Sequence, residues 1–261
     1  MPTLDAVTAE LERIAPLRLA AEWDAVGLLV APRRPAISRV LACLTLTPAV
    51  AAAAVEAGVD LVVTHHPLPF RPVARITPAS GPGRVLLELI GSGCGVWSSH
   101  TAWDSAVGGI NDQLADLLEL TAVTPIEPDA VEPRAGFGRV GRHAGTLGGL
   151  ARRAAAALDA RGVQTSGDLA RPAGRVGIVC GSGGDLVPQV VAAGCDTLVT
   201  GEIKLHQALE AAAAGLAVIA LGHHASERFS LDTLAERLAA ALPGLECVTT
   251  PADTDPLAPL A

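Results

Sequence analysis

Two adjacent histidines close the segment Val62-Val63-Thr64-His65-His66-Pro67. The apolar run before them reads as a buried β-strand, and neighbouring strand side chains point to opposite sides. A histidine pair at the strand's C-terminal edge can therefore reach two places, which gives each metal ion of a dinuclear site its own imidazole. An isolated His-His pair more often sits in a surface loop, so the placement of the other histidines decides. Of 7 histidines, six fall in three short segments: His65-His66, His100, and His206 with His223-His224; His143 stands apart. His100 has Asp104 four residues on, and His223 has Glu227 at the same spacing. A histidine and a carboxylate so spaced share one face of a helical turn. Imidazole with carboxylate is the ligand set of Zn, Fe, Mn or Co rather than of Ca or Mg alone.

The elements that must carry these residues alternate between helix and strand, the pattern of an α/β protein with mainly parallel sheets. Thr3 suits the N-cap of a first helix ending before Pro16. Strands are expected over Arg39 to Leu46, Asp60 to Thr64 and Gly95 to Ser98, with helices over Pro48 to Ala57, Val85 to Ile90 and Asn111 to Leu120. A Pro-, Glu- and Asp-rich stretch from Val123 to Pro133 reads as a linker between lobes at 1–125 and 133–261. In the second lobe, strands are expected at Val176 to Val179, Asp196 to Val199 and Ala217 to Leu221. Helices are expected at Leu147 to Leu158, Asp185 to Ala193, Ile203 to Ala213 and Ser230 to Ala241. The tail from Pro251, rich in Pro and Asp, reads as frayed.

The lobes repeat one another. Arg39 to His66 lies over Arg175 to Glu202 without a gap, and Ala57-Gly58-Val59-Asp60-Leu61-Val62-Val63-Thr64 matches Ala193-Gly194-Cys195-Asp196-Thr197-Leu198-Val199-Thr200. His65-His66 becomes Gly201-Glu202 in the second copy, so the copies differ in chemistry. Two such lobes facing a cleft would gather the strand ends, where open α/β sheets place ligands.

Composition narrows the function classes. With 261 residues the chain can bury a large core, built from Ala, Val and Leu because aromatics are only 2%. A net charge of −8 argues against a nucleic-acid backbone or an anionic membrane as the main partner. The 5 cysteines show no C-x-x-C spacing and read as small buried hydrophobes of a reducing cytoplasm. No signal peptide or membrane-spanning run is expected. Lys204 is the one lysine among 19 basic residues, beside Glu202 and His206.

Six blocks carry a resemblance: Glu22-Trp23-Asp24-Ala25-Val26-Gly27-Leu28, Thr64-His65-His66-Pro67, Ser99-His100-Thr101-Ala102-Trp103-Asp104, Gly136-Phe137-Gly138-Arg139, Thr200-Gly201-Glu202-Ile203-Lys204 and Gly222-His223-His224-Ala225-Ser226-Glu227-Arg228. In this order, over Leu4 to Val248, the chain resembles the Nif-three-like dinuclear-metal family, whose members are often called GTP cyclohydrolase 1 type 2 homologues. The resemblance implies that His65, His66, Asp104, His223 and Glu227 bind two divalent transition-metal ions, with Glu227 bridging. It makes His100 a substrate-facing or ligand-orienting residue, where the bare His100…Asp104 spacing would make it a ligand. It also implies a homohexamer.

The expected activity is metal-dependent hydrolysis, either opening of a GTP-type purine ring or cleavage of a phosphoester. His100 and Glu202 are the candidate catalytic proton carriers, and Lys204 and Arg228 the candidate holders of a nucleotide or other phosphorylated small molecule. The rival is a metal-handling or regulatory protein that turns nothing over. Trp23 and Trp103 read as packing residues, and Asp24 as a turn cap before Gly27. With no aromatic base-stacking cluster evident, a nucleotide-specific reading is weakened. The sequence assigns no role to His143, His206 or His224.

Overall fold

The computed structural model describes residues 1–257. Along the first half run α1 (Leu4–Ile14), β1 (Gly27–Val30), β2 (Arg39–Thr45), α2 (Pro48–Glu56), β3 (Leu61–His66), α3 (Gly81–Ser92), β4 (Gly95–Ser98), α4 (His100–Ser105) and α5 (Ile110–Leu117). There follow β5 (Thr121–Thr124), β6 (Glu127–Pro128), β7 (Gly136–Phe137), β8 (Arg139–Thr146), α6 (Leu147–Ala157), β9 (Gln164–Ser166), β10 (Pro172–Val179) and α7 (Val187–Ala192). The chain continues through β11 (Thr197–Thr200), α8 (Leu205–Ala213), β12 (Ala217–Ala220), α9 (His223–Glu227), α10 (Ser230–Ala241) and β13 (Glu246–Val248).

Two compact units result. One comprises Met1–Trp103 with Ser230–Thr254, and the other comprises Asp104–Phe229 with residues 255–257. The first unit holds the sheet β1-β4-β3-β2-β13, parallel except where β1 runs against β4. The second holds β5-β8-β10-β11-β12-β9. There, parallel pairing is confined to β10-β11-β12, and β8 and β9 flank that core antiparallel. The internal repeat is thus visible as three parallel strands with an antiparallel neighbour at one edge. The stretch expected as a linker carries the end of β5 and the β6 strand, which pairs with β7.

Local chemistry explains the element starts. Thr3 and Thr146 are equivalent N-caps: their hydroxyls accept from the N–H groups of Ala6 (3.2 Å) and Gly149 (3.1 Å). α3 begins earlier than its apolar pattern indicates, because Ser80 caps it and Pro82 fits its first turn. The central strands β3, β4, β11 and β12 are buried along nearly their whole length, as cover on both faces requires. In the second unit Val176, Ile178, Val199 and Ile219 pack on one side, and Val179, Leu198 and Val218 on the other.

The last helix of each repeat packs away from the strands that precede it. α10, from the second repeat, lies on α1, β2 and β13 in the first unit, whereas α5, from the first repeat, lies on β8 and β10 in the second. The tail expected to fray is held at Asp253, which is buried and accepts from the N–H groups of Leu44 (2.7 Å) and Thr45 (3.4 Å). Residues 258–261 of that tail lie outside the described residues. Among the described residues no helix is long and apolar enough to cross a membrane.

Candidate metal centre

In the first unit, β3 delivers His65 and His66 to the C-terminal end of the sheet, and the turn after β4 delivers His100. The ring centroids lie 5.0 Å apart for His65–His66, 5.1 Å for His65–His100 and 5.7 Å for His66–His100. One ligand atom from each of the three lies within 4.8 Å of the others. The expectation of strictly opposed histidines therefore gives way at the strand's end, where both rings converge with His100.

Other side chains orient these rings. His100 Nδ1 lies 2.7 Å from Asp24 Oδ1; because an ionised carboxylate only accepts, Nδ1 carries the proton of this bond. Asp24 also accepts the Thr101 N–H at 3.1 Å and the Thr101 hydroxyl, and its side chain is fully buried. Burial by itself would raise the Asp24 pKa, but the hydrogen bonds from His100 and Thr101 outweigh it and hold the carboxyl below its ordinary value. The Thr45 hydroxyl lies 2.7 Å from His66 Nδ1, and His65 is anchored through its carbonyl, which accepts from Ser98 Oγ at 2.7 Å. A carboxylate or hydroxyl behind the far ring nitrogen is the usual support of a metal-binding histidine. His100 holds φ +21°, an uncommon value for a residue other than glycine. Asp24, which the sequence suggested as a turn cap, is thus a positioning residue for His100.

In the second unit, α9 presents His223 and Glu227 on one face. His223 Nε2 is 3.1 Å from Glu227 Oε2, and its Nδ1 is 3.2 Å from Glu202 Oε1. The hydrogen bond to Glu227 is the main reason the His223 pKa rises to about 9, against the opposing effect of burial and with help from the two carboxylate charges. Ser182 donates to Glu202 and, with His223, lowers its pKa, so Glu202 is ionised at neutral pH. Gly181 sits at φ +60°, where a Cβ would come within 2.2 Å of Glu227 Oε1. This bare backbone makes room for the buried carboxylate.

Asp104 Oδ1 is 3.3 Å from the Cys180 thiol, and Asn111 ties the two together by donating to the Asp104 carbonyl (3.0 Å) and accepting from the Cys180 N–H (3.0 Å). Burial above all, then the charges of Asp104 and Glu227, raises the Cys180 pKa well above normal, which favours the protonated thiol. The Gly-Phe-Gly-Arg block is structural. Arg139 is buried, pairs with Asp112, and donates to the carbonyls of Gly136 (2.8 Å), Gly138 (2.7 Å) and Ala106 (3.0 Å), steadying the turn that follows Asp104.

Lys204 stands exposed before α8, where Gln207 caps its backbone N–H at 2.8 Å. Arg228 is half-buried directly after Glu227. Trp103 is fully buried as expected, its Nε1 donating to Ser230 at 3.2 Å, but Trp23 is 66% exposed. Trp23 also touches Phe70 and His100, so an aromatic cluster exists where the sequence showed none.

The donor set, imidazole nitrogens with ionised or buried carboxylates, fits divalent Zn, Fe, Mn or Co. The proton shared by His223 and Glu227 occupies a pair of donors that such a cation also favours.

A family model described as Duf34/NIF3 (NGG1p interacting factor 3) matches residues 2–256. A Clostridium perfringens protein called GTP cyclohydrolase 1 type 2 homolog is 33% identical over 87% of this chain and 88% of its own. The Drosophila melanogaster NIF3-like protein 1 is 34% identical over 99% of this chain and 89% of its own. The fold matches the crystal structure of a Bacillus cereus protein related to NIF3 with a TM-score of 0.91, at 20% identity, over 100% of this chain and 99% of that one. The chain belongs to the Duf34/NIF3 family.

Proposed function

We propose that this protein binds two divalent transition-metal ions through His65, His66, Asp104, His223 and Glu227, and that it is a metal-dependent hydrolase of the GTP cyclohydrolase 1 type 2 homologue kind. The observation that carries the reading is the convergence of His65, His66 and His100, with ligand atoms within 4.8 Å and supporting groups behind two of the rings. The relatives' names favour the hydrolytic reading over simple metal storage. Bound divalent ions supply Lewis acidity, which lowers the pKa of water and stabilises negative charge at an attacked centre.

The chain's own residues handle protons and orientation. Glu202, ionised and half-exposed, can take a proton on its carboxylate, which His223 Nδ1 faces at 3.2 Å. His100, its Nδ1–H fixed on Asp24, offers Nε2 to the site. Lys204 and Arg228 serve to hold an anionic group of the substrate, the first as a mobile point charge and the second as a planar fork.

Metal analysis of the purified protein should give two ions per chain, with Glu227→Ala losing both and His66→Ala mainly one. Reversible loss of nucleotide or phosphoester turnover on chelation supports the hydrolase; metal that leaves readily, with no turnover across a broad substrate screen, supports a carrier. A single ion unaffected by Glu227→Ala would end the dinuclear reading. Light scattering should give the mass of six chains, and a monomer with metal bound would remove the hexamer from the proposal.

A further inference from the structure

The chain is poor in aromatics, with 3 Trp, 3 Phe and no Tyr. Trp97 and Trp103 are 4% and 0% exposed, as large rings in a protein interior usually are. Trp23 and Phe70 differ, with 66% and 50% of their surface in solvent. They come from separate loops, one before β1 and the other after β3, yet meet at His100. Ring centroids lie 5.9 Å apart for Trp23–His100, 6.0 Å for Phe70–His100 and 6.1 Å for Trp23–Phe70. The two contacts with His100 are near-perpendicular, at 76° and 78°, an edge-to-face arrangement of the kind aromatic rings favour.

Both rings are fixed by the chain that fixes the imidazoles. Trp23 precedes Asp24, which holds His100 at 2.7 Å, and Phe70 follows shortly after His65-His66. Their exposed surfaces therefore sit beside the imidazole cluster. The same loop carries Arg71 and Arg75, both exposed, which give it a positive charge.

We propose that Trp23 and Phe70 are the binding platform for a planar nitrogen heterocycle bearing an anionic arm, such as a purine nucleotide, and that they set the substrate class of the neighbouring metal centre. Indole and phenyl rings stack on any heterocyclic base through its π-face, while the arginines meet the anionic arm. This deepens the hydrolase reading by naming its substrate, and depends on that reading only for the chemistry that follows binding.

The test uses the protein as purified, with its metals, and GMP as probe against ribose 5-phosphate, which keeps the anionic arm and lacks the ring. Calorimetry should show GMP binding at least about tenfold tighter than ribose 5-phosphate, with Trp23→Ala and Phe70→Ala each weakening GMP by roughly tenfold. Trp23→Phe, which keeps a stacking face, should retain most of the affinity and covers the case of an alanine variant that fails to fold. GMP should also protect the indole of Trp23 from acrylamide quenching, a clean signal because the other two tryptophans are buried. Equal affinity for the two probes, an affinity unmoved by Trp23→Ala, absence of GMP binding, or an indole already shielded in the free protein by another copy would each overturn the platform. Metal content of the same samples reads the other proposal separately. Protein that takes up no metal on reconstitution yet binds GMP through Trp23 would sink the metal centre and leave the platform standing, and metal-loaded protein indifferent to GMP would do the reverse.

Discussion

Where the first repeat carries His65, the second carries Gly201, and steric room explains the exchange. A Cβ on Gly201 would lie 2.6 Å from both the Gly181 carbonyl and Ser226 Oγ. Gly181 in turn must be bare to admit Glu227, so this repeat gives up a histidine to bring its backbone close around a carboxylate. Gly181→Ala should therefore lower the unfolding free energy by about 1–3 kcal/mol, from positive φ and the clash together, and displace Glu227. Urea unfolding and metal content read these two effects; a variant with wild-type metal content would show that Glu227 has another way to sit. In the first unit Asp24→Asn keeps the shape and removes the charge behind His100. Loss of such a supporting carboxylate typically reduces metal affinity or activity about 10–100-fold. Competition with a coloured chelator measures the affinity, and an unchanged value would mean that Asp24 supports only the loop.

Element starts follow the repeat closely. Asp60 accepts from the Ser38 N–H (2.7 Å), the Ser38 hydroxyl (2.7 Å) and the Arg39 N–H (3.1 Å) where β2 begins, and Asp196 accepts from the Arg175 N–H (2.7 Å) at the equivalent strand. Partial burial acts to raise the Asp60 pKa, but these hydrogen bonds prevail and lower it. A carboxyl whose folded pKa is depressed contributes stability that is present above its unfolded pKa of about 3.9 and lost as pH falls through the folded value. Asp60→Asn should thus cost about 1–2 kcal/mol at pH 7 and progressively less below pH ~4, by the usual worth of hydrogen bonds to a charged group. Chemical denaturation at pH 7 and pH 3 tests this, and an equal cost at both would assign the effect to shape instead of charge. Helix and strand positions were readable where pattern or cap signals are strong, as at the Thr3 cap and over Gly95–Ser98, whereas Ser230, expected as a cap, is the first residue of α10. The strands β1, β5 and β13 were not, because each lies at the edge of its sheet and is only partly buried, so no two-sided apolar pattern is imposed on it.

Each compact unit borrows its covering helix from the other half of the sequence. α10 covers β2 with Leu231, Leu234 and Leu238, all buried, and α5 buries Leu114 and Ala115 against β8 and β10. Fragments 1–125 and 133–261, cut where the sequence invites a boundary, would each expose an uncovered sheet face and keep a stray helix. Expressed alone they should lack cooperative thermal unfolding, and co-expressed they should associate and recover it. A fragment that melts cooperatively by itself would show that the borrowed helix is dispensable.

The candidate ligand residues were legible without a fold, because histidines and carboxylates sit at strand ends and at helical spacing, and both are properties of local chain geometry. The repeat was legible for the same reason, since matched residues need no knowledge of their neighbours in space. The pairing of Asp24 with His100 joins residues 76 positions apart, and that of Gly181 with Glu227 depends on a close approach between two separate segments. The exposure of Trp23 belongs with them: an isolated tryptophan reads as core, since apolar residues usually are. Periodicity states that a face is buried and not what buries it, so these contacts, and the exchange of α5 and α10, were decided only when the chain closed on itself.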